Sequence, residues 1–121
     1  MSMEGGMMDS ILDTIKEMLG YGTDPDPTFD RTIMVHINTA FSELSEVGVL
    51  SDASYRVTSR TNTWEDAFGG RKDVDLIQTY VFLSVKLIFD PPSSSFVLNA
   101  LVHERDRIEW RISVKGDEGE V

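Results

Sequence analysis

A proline pair near the middle of the carboxy-terminal half constrains this chain more than any other feature. Asp90-Pro91-Pro92-Ser93-Ser94-Ser95 separates two apolar-periodic segments, one running from Arg71 to Phe89 and the other closing at Trp110. Proline has no N–H and pushes the residue before it out of the α region, so no helix continues through this point. The first segment contains Tyr80-Val81-Phe82-Leu83-Ser84-Val85-Lys86-Leu87-Ile88-Phe89, which suits a buried strand as well as a helix. Length decides between them, because about 18 residues without a turn signal is too long for an ordinary strand. On a helix, Lys72, Asp75, Thr79 and Lys86 share one narrow stripe. Two adjoining apolar rows, Val74, Ile77, Val81, Val85, Ile88 and Leu76, Tyr80, Leu83, Leu87, cover most of the rest. Such a helix packs on several neighbours at once. Ser93 to Ser95 offer N-caps to a following helix with Phe96, Val97, Ala100, Leu101, Ile108 and Ile112 on its inward side. The expected fold is all-α: a small bundle whose central apolar helix, about 71–89, forms an αα-hairpin with 94–113.

Upstream, Asp9 is placed to cap a short helix carrying Ile11, Leu12, Ile15, Met18 and Leu19, with Gly20 as its stop. Tyr21 to Pro27 holds two prolines and reads as a linker. Thr28 then opens a longer helix in which Ile33, Ile37, Ala40, Leu44 and Val47 recur at spacings of three and four until Gly48. From Val49 to Gly70 the periodicity disappears. Tyr55 to Thr58 reads as a short extended or β piece, and Thr63 to Phe68 as one helical turn stopped by Gly69-Gly70. A long irregular loop in a compact domain usually has a function or a partner. Trp64 and Phe68 lie four apart on one face of that turn, so they either clamp the loop to the domain's own core or dock on a neighbouring subunit.

The length corresponds to one domain able to bury a core without staples. Residues 1–8 read as a flexible leader, 9–113 as a single helical domain, and 114–121 as a disordered acidic tail. The amino terminus has neither the basic nor the apolar region of a secretory signal, and Met7 or Met8 is an alternative start, so synthesis in a cytosol is expected. Lys86 interrupts the longest apolar run, which argues against a membrane span. The chain contains no cysteine, which removes disulfides, thiolate metal sites and a cysteine nucleophile.

Net charge is −10, and Glu4, Asp9, Asp13, Glu17, Asp24, Asp26 and Asp30 face Lys16 alone among the cations of the first thirty residues. A protein that wraps nucleic acid needs a basic patch, so that class is disfavoured. His103-Glu104-Arg105-Asp106-Arg107 lacks the second histidine of a zinc protease motif, and His36 lies beside an apolar row. Asp24-Pro25-Asp26-Pro27 lacks the glycine and terminal glutamate of a calcium loop. Gly69-Gly70 does not have the spacing of a nucleotide fingerprint, and no serine sits in a nucleophile elbow. No catalytic, metal or cofactor residues are therefore assigned, and an enzyme is not expected. The one basic cluster, Arg105, Arg107, Arg111 and Lys115, alternates with Glu104, Asp106 and Glu109. It is either a solvated face with i,i+4 pairs or a salt-bridge surface that meets the acidic amino-terminal half of another copy. Such a head-to-tail contact closes into a ring when the rotation fits. Trp64, Phe68, Arg105, Arg107, Trp110 and Arg111 are the candidate interface residues.

The Asp9–Leu19 helix, the helix ending Glu46-Val47-Gly48-Val49, the Thr63–Phe68 turn and above all Tyr80 through Phe96, followed by Glu109-Trp110-Arg111, resemble the head–tail connector (neck adaptor) proteins of long-tailed bacteriophages and prophages. The likeness spans roughly residues 8 to 113. It implies a small α-helical structural protein without catalytic residues or cofactors, made in the bacterial host and resident in the virion neck. It also implies a ring, usually of twelve, under the portal vertex, which extends the DNA channel and presents a platform to stopper and tail proteins. Twelve chains at −10 each would carry about 120 formal negative charges, and an acidic lumen would let DNA pass without specific binding. The competing expectation is a small acidic decoy module that mimics DNA charge and binds a host protein.

Overall fold

The computed structural model describes residues 6–22 and 26–119, with side chains as far as residue 113 in the last helix. Five helices follow one another: α1 (Ile11–Met18), α2 (Asp30–Glu46), α3 (Trp64–Phe68), α4 (Val74–Phe89) and α5 (Ser95–Gly119). Among the described residues there is no strand, only an isolated antiparallel bridge between Ser10 and Thr63.

The apolar central helix is α4, which packs extensively on α5 and α2 and more lightly on α1. Ile77, Tyr80, Val81, Leu83 and Val85 are buried along it. It begins at Val74 rather than 71, because Arg71 is used to hold Asp73: its Nε and Nη2 each donate to that carboxylate at 2.8 Å. The same guanidinium donates to the Ile112 carbonyl at 3.0 Å and the Val49 carbonyl at 3.5 Å. One side chain thus joins the start of α4, the exit of α2 and the far end of α5. Arg71→Ala strands those acceptors in a part-buried site, and a loss of about 2 kcal/mol is expected in chemical denaturation.

Two N-caps differ from the sequence expectation. Ser10, not Asp9, caps α1: its hydroxyl accepts from the Asp13 amide at 3.2 Å. The bridge to Thr63 holds Ser10 extended, at ψ 131°, so the helix starts after it, and Asp9 instead accepts from the Gly6 amide at 2.6 Å. Thr28 does not cap α2, since its amide and hydroxyl both donate to Asp26 in a tight turn. Helix α2 opens at Phe29 with no side-chain cap, and the Asp30 carboxylate pairs at 2.8 Å with the buried Lys16 of α1. Ser94 does cap α5, accepting from the Val97 amide at 3.3 Å.

The segment Tyr55 to Thr58 is extended but pairs with no strand. The Asn38 side chain replaces one: its Oδ1 accepts from the Val57 amide at 2.8 Å and its Nδ2 donates to the Val57 carbonyl at 3.0 Å. With its backbone satisfied by an amide from α2, Val57 is buried in the core.

Helix α5 corrects the expected inward face. Phe96 is 82% exposed, and Val97 and Ala100 are exposed with it. The face toward the bundle is Leu98, Leu101, Arg105, Ile108 and Ile112, a three-four alternation with an arginine at its centre. A helix resting chiefly on one neighbour buries only a narrow stripe. Ile88 of α4, expected inside, is likewise 59% exposed, one residue before the end of that helix. The helical backbone of α5 also passes residue 113 and reaches Gly119. The side chains of 114–119, residues 120–121, and residues 1–5 of the expected leader lie outside the described residues.

Candidate functional site

The six residues expected at an interface fall into three environments. Trp64 is completely buried and Phe68 nearly so. Thr63 sets them there through a capping box with Asp66, which starts the short helix α3. The two rings stack at 6.2 Å, and Phe41 of α2 meets Phe68 edge-on at 5.2 Å. The Trp64 indole N–H donates to Thr14 Oγ1 of α1 at 3.1 Å. Within the protomer this turn clamps the loop to the core, with Trp64 fully enclosed.

Arg105 is also turned inward, which a mixed-sign solvated face did not anticipate. Its Nε donates to Ser84 Oγ at 2.7 Å, and its Nη2 donates to Tyr80 Oη at 3.1 Å and to the Glu43 carboxylate. The guanidinium lies 4.8 Å from the centre of the Tyr80 ring, a cation–π contact. The Tyr80 hydroxyl donates to Glu43 at 2.9 Å, with Glu109 at 3.4 Å. Burial raises the pKa of this phenol strongly, although Arg105 pulls the other way, so Tyr80 stays a neutral donor at physiological pH. The cluster joins α2, α4 and α5 and forms one wall of a cleft of about 120 Å³ lined also by His36, Leu87 and Ile88. Its charged groups are bonded to one another, which suits a structural lock better than a reaction centre. No group of three or more histidine, aspartate or glutamate side chains suitable for a metal occurs among the described residues.

Arg107, Trp110 and Arg111 are the members of the set that face solvent. Trp110 is 66% exposed. Arg107 pairs with Glu104 at 3.4 Å on the helix surface. With Phe96, Ala100 and His103 they form the outward stripe of α5. The sequence reading missed Phe96 and His103 here because it placed Phe96 inside. The alternation Leu98, Leu101, Ile108, Ile112 was the available signal, with its gap at 105 filled by arginine.

A second apolar surface lies at the hairpin end of the bundle. Phe89 at the end of α4 meets Phe29 at 5.6 Å, Tyr21 at 6.5 Å and His36 at 6.5 Å. Phe29, Tyr21 and Ile88 are exposed around it. No described helix is long and apolar enough to cross a membrane.

The family model described as "Phage connector protein" matches residues 11–119. This span runs from the first residue of α1 to the last of α5. No curated protein and no solved structure matches the chain.

Proposed function

Since the chain belongs to the phage connector protein family, we propose that it is a structural component of the virion neck that forms a homo-oligomeric ring, extends the DNA channel and joins head to tail. Its partners on this reading are further copies of itself, the portal protein above, and stopper or tail proteins below. The family match across nearly the whole described chain carries the proposal.

Charge supports the channel part of the reading. A chain at −10 offers DNA phosphates little to bind, so a lumen built from it would let the genome slide. An acidic decoy would need carboxylates in ordered rows on an open face. Here Asp13, Asp30, Asp73 and Glu43 are instead engaged with cations of the same chain.

The test is the molar mass by light scattering over a concentration series, alone and with the portal protein co-expressed, with electron microscopy of the heaviest fraction. Closed rings of about a dozen copies are expected. A chain that stays monomeric and fails to co-purify with the portal would sink the proposal.

A further inference from the structure

We propose that the outward stripe of α5 in one copy docks on an acidic knob of the next copy formed by Met8, Asp9, Glu65 and Asp66. The inference rests on the ring reading and adds to it the two surfaces that meet.

The stripe comprises Phe96, Ala100, His103, Arg107, Trp110 and Arg111, all exposed. Its two aromatic residues, Phe96 and Trp110, are about 21 Å apart along the helix axis at roughly 1.5 Å per residue. Between residues 96 and 111, no acidic residue falls within about 60° of its centre line when positions advance at 3.6 per turn. That is unusual in a chain with 21 acidic and 11 basic residues. The flanking acids lean on arginines: Glu104 on Arg107 at 3.4 Å, and Asp106 on Arg105 at 3.7 Å. The result is an aromatic and cationic face with Trp and Arg, the residue types that anchor protein interfaces.

The knob has the opposite character. The Met7 carbonyl accepts from the Glu65 amide at 2.8 Å, and the Asp9 carbonyl from the Trp64 amide at 3.4 Å. These bonds fix the turn at 6–9 against the start of α3. Asp9, Glu65 and Asp66 are exposed there, around a Met8 side chain that is 72% exposed. An apolar centre with an acidic rim complements a stripe in which Phe96 and Trp110 are accompanied by Arg107 and Arg111.

Charge complementarity selects a second copy as the occupant. Two stripes would repel each other, and so would two knobs, which disfavours a two-fold contact between like patches. The knob is carried by the turn before α1 and by α3; neither α1 nor α3 is extensively packed on α5, and both patches are open on one chain. A stripe-to-knob contact is therefore heterologous and repeats in one direction, as a ring requires.

The chain has no cysteine, so introduced thiols report only on themselves. Met8→Cys/His103→Cys treated with a short bis-maleimide should give a ladder of covalent oligomers, and either single variant no species beyond a dimer. Arg107→Glu/Arg111→Glu and, separately, Glu65→Arg should each weaken self-association at least about tenfold. Mixing the two variants should restore association, because each presents one surface that the other can use. All of these positions are exposed, and circular dichroism checks that each variant is folded. If the wild-type chain forms rings but the ladder is missing and the reversals change nothing, this contact is wrong and the ring reading stands. If the wild type does not assemble even with the portal, both fail. Loss of duplex-DNA binding in Arg107→Glu/Arg111→Glu, with self-association intact, would assign the stripe to nucleic acid and overturn the proposal.

Discussion

Trp64→Ala is expected to destabilise the folded protomer by about 3–5 kcal/mol, the range for removing a fully buried aromatic side chain. In thermal unfolding this corresponds to a fall on the order of 10–20 °C for a domain of this size. The cost has two parts. A large cavity opens beside Phe68, which stacks on the indole, and Phe41, which meets it at a tilt. Thr14 Oγ1 also loses its donor in a buried site. Trp64→Phe separates them, because it fills much of the space without the N–H, and should cost clearly less. The fluorescence of a Trp110→Phe background then reports Trp64 alone, since the chain has only two tryptophans. An alanine variant with unchanged melting but lower molar mass in solution would place Trp64 at a subunit contact after all.

The second large effect is expected at Arg105. Arg105→Met keeps an apolar stem over the Tyr80 ring but removes the donors to Ser84, Tyr80 and Glu43. It also leaves Glu43 and Glu109 facing each other across the Tyr80 hydroxyl with no cation between them. A loss of about 2–4 kcal/mol follows, below the full cost of a buried pair because Glu43 can turn partly into water. Lysine at this position should recover only part of it, since a single ammonium lacks the planar fork that reaches three acceptors on two helices. A double-mutant cycle with Glu43→Gln measures the coupling. Coupling near zero would mean that α5 is held by its apolar stripe alone. Because α5 carries the outward stripe, loosening this lock should also reduce assembly.

Much of this architecture is legible in the sequence. Pro91-Pro92 ended α4, the serines after them started α5, Gly20 and Gly48 followed the ends of α1 and α2, and Thr63 opened α3. The length and greasiness of α4 made it central, as observed. The errors gathered where a polar side chain is used far from home. Arg105 occupies a core-facing position of α5, so counting only apolar residues rotated that helix and placed Phe96 inside. Asn38 takes the place of a strand partner for Val57, so an extended piece needed no sheet. Arg71 bonds residues 22 positions before it and 41 after it, which no local pattern encodes.

The sequence by itself therefore determined where helices begin and end and that the chain is an all-α bundle of the connector family. Those properties depend on proline, glycine, capping groups and periodicity acting over a few neighbouring residues. Tertiary structure alone decided which face of α5 is buried, which arginines are consumed inside the protomer, and that Trp64 serves the core while Trp110 faces outward. Each of those outcomes depends on what a side chain meets across the bundle: Glu43 and Arg105 are 62 positions apart in the chain and in contact in space.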